Sequence, residues 1–561
     1  MIPIHPAIPT KALSPSCQPI RRLLFHYNSR NNSDMLAHKL SLQKAALSRL
    51  YARHLLTLAA AVATAEHARR NFKVNSTLCE TIAKPSEWSS GIDLFERRAE
   101  FGKQISSLGS TKLSRVWAAG SRIVSLSLLA CPLFVLTPLA ALAGKDSKID
   151  KFTWEYALWS IEQAGPTFIK LTQWASTRND LFSAEFVSNF SRLQDETRGH
   201  SWNETVKLLT KTFGADYDAL LQLDTTPIGS GCIAQVYRAT LQKPTSLHPK
   251  GAQVAVKVQH PHILHKVCVD FYILNKITAF LESIPFFHMD YLSIKDSVDQ
   301  FRDIMLPQLD LRVEAANLSR FRRDFANEDQ VTFPQPIHEL TTADVLIESF
   351  VNGEPILNYL REHHTDEERQ ELATIGLETV MKMIFLHDFV HADLHPGNIL
   401  VDRNTSKRGS PLRLNMIDCG LVVEMGEREH VNLTKILGAF IKRDGLSAGQ
   451  LMVDTAKKCQ ATDRDVELFC QGIQNICDED EQNNFLENVG DYLAEICFLA
   501  CRHKVKLEAA FINAALACEI MEGIASSLYP SMEVQRIALP MVVKAELMHG
   551  LKGFKVPGLR S

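Results

Sequence analysis

The stretch Met381–Leu400, MKMIFLHDFVHADLHPGNIL, most narrows what this chain can fold into. An apolar run ends in His391, Asp393, His395, Pro396, Gly397 and Asn398, and Ile399–Leu400 then resume it. Polar groups flanked by buried strands must be satisfied, because each costs free energy if left unpaired. Three architectures fit these residues taken alone: a polar turn, a metal site, or the floor of a phosphoryl-transfer site. A turn explains this stretch and nothing beyond it. A zinc site on His391 and His395 needs further ligands, and the 12 cysteines contain no C-x-x-C pair to supply them.

Spacing favours the third architecture. Asp393 and Asn398 stand as in H-x-D-x-x-x-x-N, the catalytic-loop pattern of kinases. After them, LNMIDCGLV reads as an apolar strand ending at Asp418-Cys419-Gly420, which presents one carboxylate at a tight turn where Mg²⁺ can be held. Upstream, PIGSGCIAQVYRAT carries Gly229, Ser230, Gly231, Cys232, Ile233, Ala234 and Gln235. Its small residues let backbone N–H groups approach phosphate oxygens. A dinucleotide-binding turn would open a helix, but Val-Tyr-Arg-Ala-Thr has strand character. A P-loop would need Gly-Lys-Ser/Thr, which is absent. In the next predicted strand, AQVAVKVQH, Val254, Val256 and Val258 alternate with Ala255 and Lys257, so Lys257 faces away from the valines. Lys257 is the candidate for the α- and β-phosphates. In LPQLDLRVEAANLSRF, Asp310 and Glu314 are four apart, which predicts one helical face, and Glu314 is the candidate partner of Lys257. DVLIESFVNGEPI predicts a strand ending at Glu348 and leading into a hinge between two lobes, with Glu348 near the nucleotide.

Lys257, Glu314, Asp393, Asn398 and Asp418 thus occur in kinase order. With this set on the page, the chain resembles the UbiB family of atypical kinases (the aarF-domain-containing kinases), most of all its mitochondrial type 2 branch. The resemblance covers roughly residues 150–430. It includes GPTFIKLTQWASTRNDLFSAEFVSNFSRLQDE, in which Lys170-Leu171-Thr172-Gln173 stands for the family's K-x-G-Q helix, with Thr172 in place of its glycine. Gln308-Leu309-Asp310 stands for the family's E-x-D motif, with its glutamate lost. The resemblance implies an α+β, bilobal protein-kinase-like fold, with a small β-containing N-lobe and a mostly helical C-lobe. It implies that the helix bearing Lys170 and Gln173 covers the place where a kinase seats a peptide, with Asp310 as its regulatory counterpart. It further implies an ATPase or kinase using ATP and Mg²⁺ on a lipid or small-molecule acceptor, in mitochondrial lipid or coenzyme Q metabolism beside coenzyme Q biosynthetic proteins. In that scheme Asp393, Lys257 and Glu314 are catalytic, residues 229–235 with Lys257 and Glu348 bind nucleotide, and Asn398 and Asp418 hold the metal. The alternative is a catalytically silent nucleotide-binding scaffold anchored in the mitochondrial inner membrane.

The ends of the chain add an address and a membrane. Residues 1–33 contain no acid but include Lys11, Arg21, Arg22 and Arg30 among serines and prolines, the pattern of a mitochondrial transit peptide. Ile123–Gly144 is 22 residues without a charge, long enough to span a hydrocarbon core. Pro132 and Pro138 predict kinks in it. Basic residues flank it on both sides, so charge bias gives no orientation. The expected organisation is a transit peptide over 1–35, a basic helical segment over 36–120, a transmembrane helix over 121–144, a family-specific extension over 150–220, an N-lobe over 221–350 and a C-lobe over 351–561. Net charge of −3 gives no global basic footprint, so nucleic acid is not an expected partner. VGDYLAEICFLACRHKVKL and AAFINAALACEIMEGIASSL predict helices that complete the C-lobe.

Overall fold

The structure is a computed structural model that describes residues 112–176, 184–190, 199–282, 294–360, 364–403, 411–456, 461–479, 489–505, 507–532 and 534–548. The chain divides into two units, Met1–Phe72 and Lys73–Ser561, and every described residue belongs to the second. The transit-peptide expectation and nearly all of the basic segment lie outside the described residues.

The described chain opens with helices. α1 (Lys112–Ala130) and α2 (Leu133–Ala143) meet at Cys131–Pro132, so the expected membrane helix is broken where proline removes a donor. Pro138 sits inside α2 without breaking it. Together Ala119–Ala143 form 25 residues long and apolar enough to cross a membrane. α3 (Lys148–Ala164) starts at Ser147, whose hydroxyl accepts from the Asp150 N–H, and ends at Gly165, whose φ of 95° suits glycine. α4 (Pro166–Ser176), α5 (Ala184–Phe190) and α6 (Trp202–Phe213) follow.

The first lobe is an antiparallel sheet. β1 (Leu221–Leu223), β3 (Ala234–Leu241), β4 (Gln253–Gln259) and β6 (Val345–Ser349) lie in the order β1-β3-β4-β6, and β2 (Gly229–Ser230) pairs with β3. Strand alternation sorts its two faces. Tyr237, Ala239, Val254, Val256, Val258, Val345 and Ile347 form a core with Leu209 of α6. Lys257 opposes Leu346, and Ala255 opposes Glu348, so Ala255, Lys257 and Glu348 share the other face. Two long helices, α7 (Ile263–Glu282) and α8 (Ile294–Gln308), are inserted after β4. Their core includes Phe271, Phe301 and Met305, and it takes in Ile233 and Ala234 beside β2 and Leu171 of α4.

α9 (Leu311–Asp324) carries Glu314 in its first turn. Asp310 and Glu314 do not share a helical face, because Asp310 is the N-cap, with extended backbone, and its side chain accepts from the Arg312 N–H at 3.1 Å. The break between α8 and α9 falls at Leu309–Asp310, where a short polar side chain satisfies a free helix-end donor better than another turn would.

The second lobe holds two small sheets and a helical mass. β5 (Val331–Thr332), β7 (Glu354–Pro355), β9 (Ile399–Arg403) and β10 (Leu412–Met416) form one sheet in the order β5-β10-β9-β7. β8 (Phe389–His391) pairs with β11 (Val422–Glu424). α10 (Asp366–Phe385) runs beneath them, with a capping box at Thr365 and Glu368. Behind it lie α11 (Glu427–Ile441), α12 (Gly445–Thr455), α13 (Asp463–Glu479), α14 (Val489–Arg502), α15 (Ala509–Leu528) and α16 (Val534–Met548). α15 is apolar enough to pass for a span, yet it packs into the lobe's core on α10. The two C-terminal helices foreseen in the sequence are α14 and α15. Cys497 is buried in α14.

Candidate active site

β2, the three residues Gly231–Ile233 and β3 make a tight hairpin, closed by Gly231 N–H donating to Ala234 O at 2.9 Å. It is anchored from behind. His260 Nε2 donates to the Gly231 carbonyl at 2.7 Å, and His260 Nδ1 lies 2.7 Å from His200 Nδ1. His200 Nε2 in turn meets the Thr205 hydroxyl at 2.8 Å. This chain of bonds works with both imidazoles neutral, and burial pushes both below the ordinary histidine range, His200 to about 4. Gln235 is fully buried and faces this network, with its side-chain oxygen accepting from His200 N–H at 3.0 Å. Of the seven residues expected around phosphate, Gln235 can therefore serve only through its backbone.

Lys257 lies beneath the hairpin. Its ammonium is 2.8 and 2.9 Å from the two carboxylate oxygens of Glu314 and 3.1 Å from Asp418 Oδ2. β4, α9 and the β10–β11 turn thus converge on one cation. Burial disfavours the Lys257 charge, but Asp418 and Glu314 outweigh it and hold the amine well above its usual range. Asp418 is likewise opposed by burial, yet Lys257 and the Gly420 N–H hold its carboxyl below the ordinary range. Glu314 bears the shortage of cations. It is buried, it shares Lys257 with Asp418, and its pKa rises to about 7. Glu348, also buried, is raised well above the carboxylate range by burial and then by Glu314.

The polar cluster of the opening stretch divides its work. His391 is a strut: its Nδ1 accepts from Asp393 N–H at 3.2 Å and its Nε2 donates to the Asp418 carbonyl. Burial keeps the ring neutral, as that tautomer requires. Asn398 Nδ2 donates to the Asp393 carbonyl at 3.1 Å, which leaves the amide oxygen as its other polar atom. Asn317, one turn after Glu314, donates to the Cys419 carbonyl at 2.9 Å and fixes the Asp418 turn. Asn317 and the His200–His260 pair were not foreseen in the sequence. The only signal for Asn317 is its position three residues beyond Glu314 on the same buried helical stripe.

α4 closes the front. Lys170 Nζ lies 3.0 Å from Asp393 Oδ2. Burial raises the Asp393 carboxyl, but Lys170 more than offsets this and the net shift is downward. Lys170, Gln173, Gln308 and Asp393 line one cavity of about 1030 Å³, floored by the chain from Gly420 to Glu429. Asp310, expected as a counterpart of this helix, caps α9 and pairs with Arg312 at 2.8 Å.

The donor set suits a hard divalent cation. Asp418 and Asn398 offer oxygen, and Asp418 is 40% exposed on its side chain. Among the described residues, no group of three or more His, Cys, Asp and Glu is arranged to hold a metal ion. Mg²⁺ characteristically binds through one or two protein groups and completes its shell with phosphates and water.

A family model described as ABC1 atypical kinase-like domain matches residues 192–452. This interval contains Lys257, Glu314, Asp393, Asn398 and Asp418, but α4 precedes it. The chain is 27% identical over 493 residues to "Probable serine/threonine-protein kinase abkC" of Dictyostelium discoideum, covering 76% of this chain and 69% of that protein. It is 29% identical over 487 residues to "ABC1 family protein YPL109C, mitochondrial" of Saccharomyces cerevisiae, covering 75% and 74%. It is 26% identical over 398 residues to "Probable protein kinase UbiB" of Shewanella woodyi, covering 70% of each.

Proposed function

Because the chain carries an ABC1 atypical kinase-like domain, we propose that it binds Mg-ATP and transfers or hydrolyses the terminal phosphoryl group. The observation that carries this is the convergence of Glu314, Lys257 and Asp418 within 3.1 Å, beside Asp393 and Asn398. Of the side chains that stay ionised, Asp393 and Asp418 face Lys170 and Lys257, so the site by itself offers a bare polyphosphate little net positive charge. A metal ion would supply it.

In this reading the Gly229–Gln235 backbone covers the phosphates, and Lys257, held by Glu314, contacts the α- and β-phosphates. Ala255 and Glu348 line the same face as Lys257, toward the nucleotide base. Asp418 and Asn398 would hold Mg²⁺, which would supply positive charge to offset that of the phosphates. Asp393 orients the nucleophile, a water or a hydroxyl, once Lys170 has withdrawn. The Saccharomyces cerevisiae relative named mitochondrial supports work in the mitochondrion. A role in lipid or coenzyme Q metabolism at the inner membrane rests on resemblance to the UbiB family.

The test is Mg²⁺-dependent ATP turnover by the full chain, with and without lipid vesicles, beside Asp418→Asn. Loss of the metal ligand is expected to cut turnover by about 10²-fold or more while the protein stays folded. Undiminished turnover in that variant refutes the assignment. One contact favours a second reading, a nucleotide-binding scaffold without turnover: Lys170 occupies the carboxylate that would orient a nucleophile. Lys170→Met separates the two, since it raises turnover if the contact is a brake and leaves none if the protein is a scaffold.

A further inference from the structure

We propose that the N-terminal helices seat on a lipid bilayer from one side, as an interfacial anchor, and do not cross it. This rests on the reading of a membrane-attached protein and specifies the attachment. α1 exposes Val124 and Leu128 at 59% and 69%, and α2 exposes Val135 and Leu142 at 57% and 71%. Within Ala119–Ala143 an 18-residue stretch has a mean hydropathy of 2.2 and is 6% buried, an apolar surface that calls for a covering partner. A lone helix of that length would span. This one is not alone.

α3 runs back along it. Near one end, Arg122 Nη2 donates to the Ala164 carbonyl; halfway, the Tyr156 hydroxyl donates to the Leu129 carbonyl at 3.1 Å; Gly144–Ser147 closes the far end. That middle bond satisfies a carbonyl near the Pro132 break, so α3 is part of how the kinked helix is held. Any crossing by α1 and α2 in this arrangement carries α3 with it. Lys151, Glu155 and Glu162 stand exposed on one flank of α3, where hydrocarbon would penalise them. Phe152 and Trp159 stand exposed on its other flank, at 55% and 48%. The side of α3 bearing Trp154, Leu158 and Ile161 is covered by Phe186 and Phe190 of α5, and Glu185 of α5 reaches Lys145 at the turn, 3.3 Å away. The apolar surface is therefore one-sided and edged by aromatics, as in helices that lie in the membrane plane. The root is fixed as well, because Arg122 Nε and Nη2 meet the fully buried Asp270 of α7 at 2.7 and 3.0 Å.

The test compares the sidedness of the N-terminus, the hairpin turn and the catalytic lobes. The full chain, with a cleavable tag at each end and a protease site inserted between Asp146 and Ser147, is reconstituted in sealed vesicles of phosphatidylcholine and phosphatidylglycerol. Protease is added outside. Cleavage of both tags and of the turn in the same molecules is the expected result. Protection of any one of the three where another is cut means a crossing, single or double, and overturns the proposal. Failure to float with vesicles removes membrane attachment itself, and a dimer that buries the surface without lipid does the same. If the insertion disturbs folding, quenching of the Trp159 emission (the part lost in Trp159→Phe) by brominated lipids gives depth independently. Strongest quenching by bromines near the headgroup is expected, and strongest quenching at the bilayer centre overturns the proposal.

Discussion

Glu314 is asked to do two things at once: to hold Lys257 and to remain buried beside Asp418. Its pKa of about 7 is the consequence, and it yields a pH dependence with a definite sign. Below that value the folded protein keeps a proton on Glu314 that the unfolded chain loses near the ordinary carboxylate pKa. Between those two values, rising pH therefore favours unfolding through this group, and the penalty levels off above about 7. Asp418 behaves oppositely. Its depressed pKa contributes stability above the ordinary carboxylate range, and that stability is lost on acidification. For catalysis, ionised Glu314 is the form that positions Lys257. The expected outcome is that kcat/KM for ATP rises through about pH 7, and that Glu314→Gln both lowers the rate and removes this limb. A limb that persists unchanged in Glu314→Gln belongs to another group.

Each element that positions the site has a local cause, and the causes differ in how openly the sequence displays them. β4 was legible because alternation of Val254, Val256 and Val258 alone puts Lys257 on the cleft face. The catalytic loop was legible because its residue spacing is rigid. The role of His391 was not, since a strut and a ligand look alike until both ring nitrogens have partners. The α8–α9 break was missed because Asp310 serves equally as a helix residue or as a cap, and only the packing of α9 decides. The crossing of α12 and α13 was also hidden. A Cβ on Gly445 would lie 2.5 Å from Gln474 Cα, and one on Gly449 would lie 2.9 Å from Cys470 Cα, so the two backbones approach closely at two glycines one turn apart. Gly445→Ala must push α12 off α13. The helix-propensity gain of alanine is smaller than this overpacking, so a net loss of about 1–3 kcal/mol is expected, read as a lower denaturation midpoint. Ser447→Ala, two residues on, removes no such contact and is the control: an equal loss there would mean that the crossing is not what matters.

At the scale of the whole described unit, one ion pair ties the N-terminal hairpin to the inserted helices. Arg122 meets Asp270 with two hydrogen bonds, and its second donor group also reaches Ala164 at the end of α3, next to α4 and its Lys170. The hairpin, the inserted helices and the element covering Asp393 thus share one side chain. Asp270 is fully buried while Arg122 is 25% exposed on its side chain, so the two members are unequal. Removing Asp270 leaves a cation that reaches water; removing Arg122 leaves a carboxylate that does not. Arg122→Ala is therefore expected to cost about 3–5 kcal/mol, the range for stranding one member of a buried pair. Asp270→Asn keeps the shape and a carbonyl acceptor and should cost less. The double variant Arg122→Leu/Asp270→Leu removes both charges and should recover much of the loss seen in Arg122→Ala, because a well-packed apolar pair often matches a buried ion pair. Denaturant unfolding of the unaltered protein, Arg122→Leu, Asp270→Leu and the double variant checks this as a cycle. A double variant as unstable as the sum of the single ones would show that Arg122 acts through the Ala164 carbonyl rather than through Asp270, and would move the tie from the inserted helices to the α3–α4 junction.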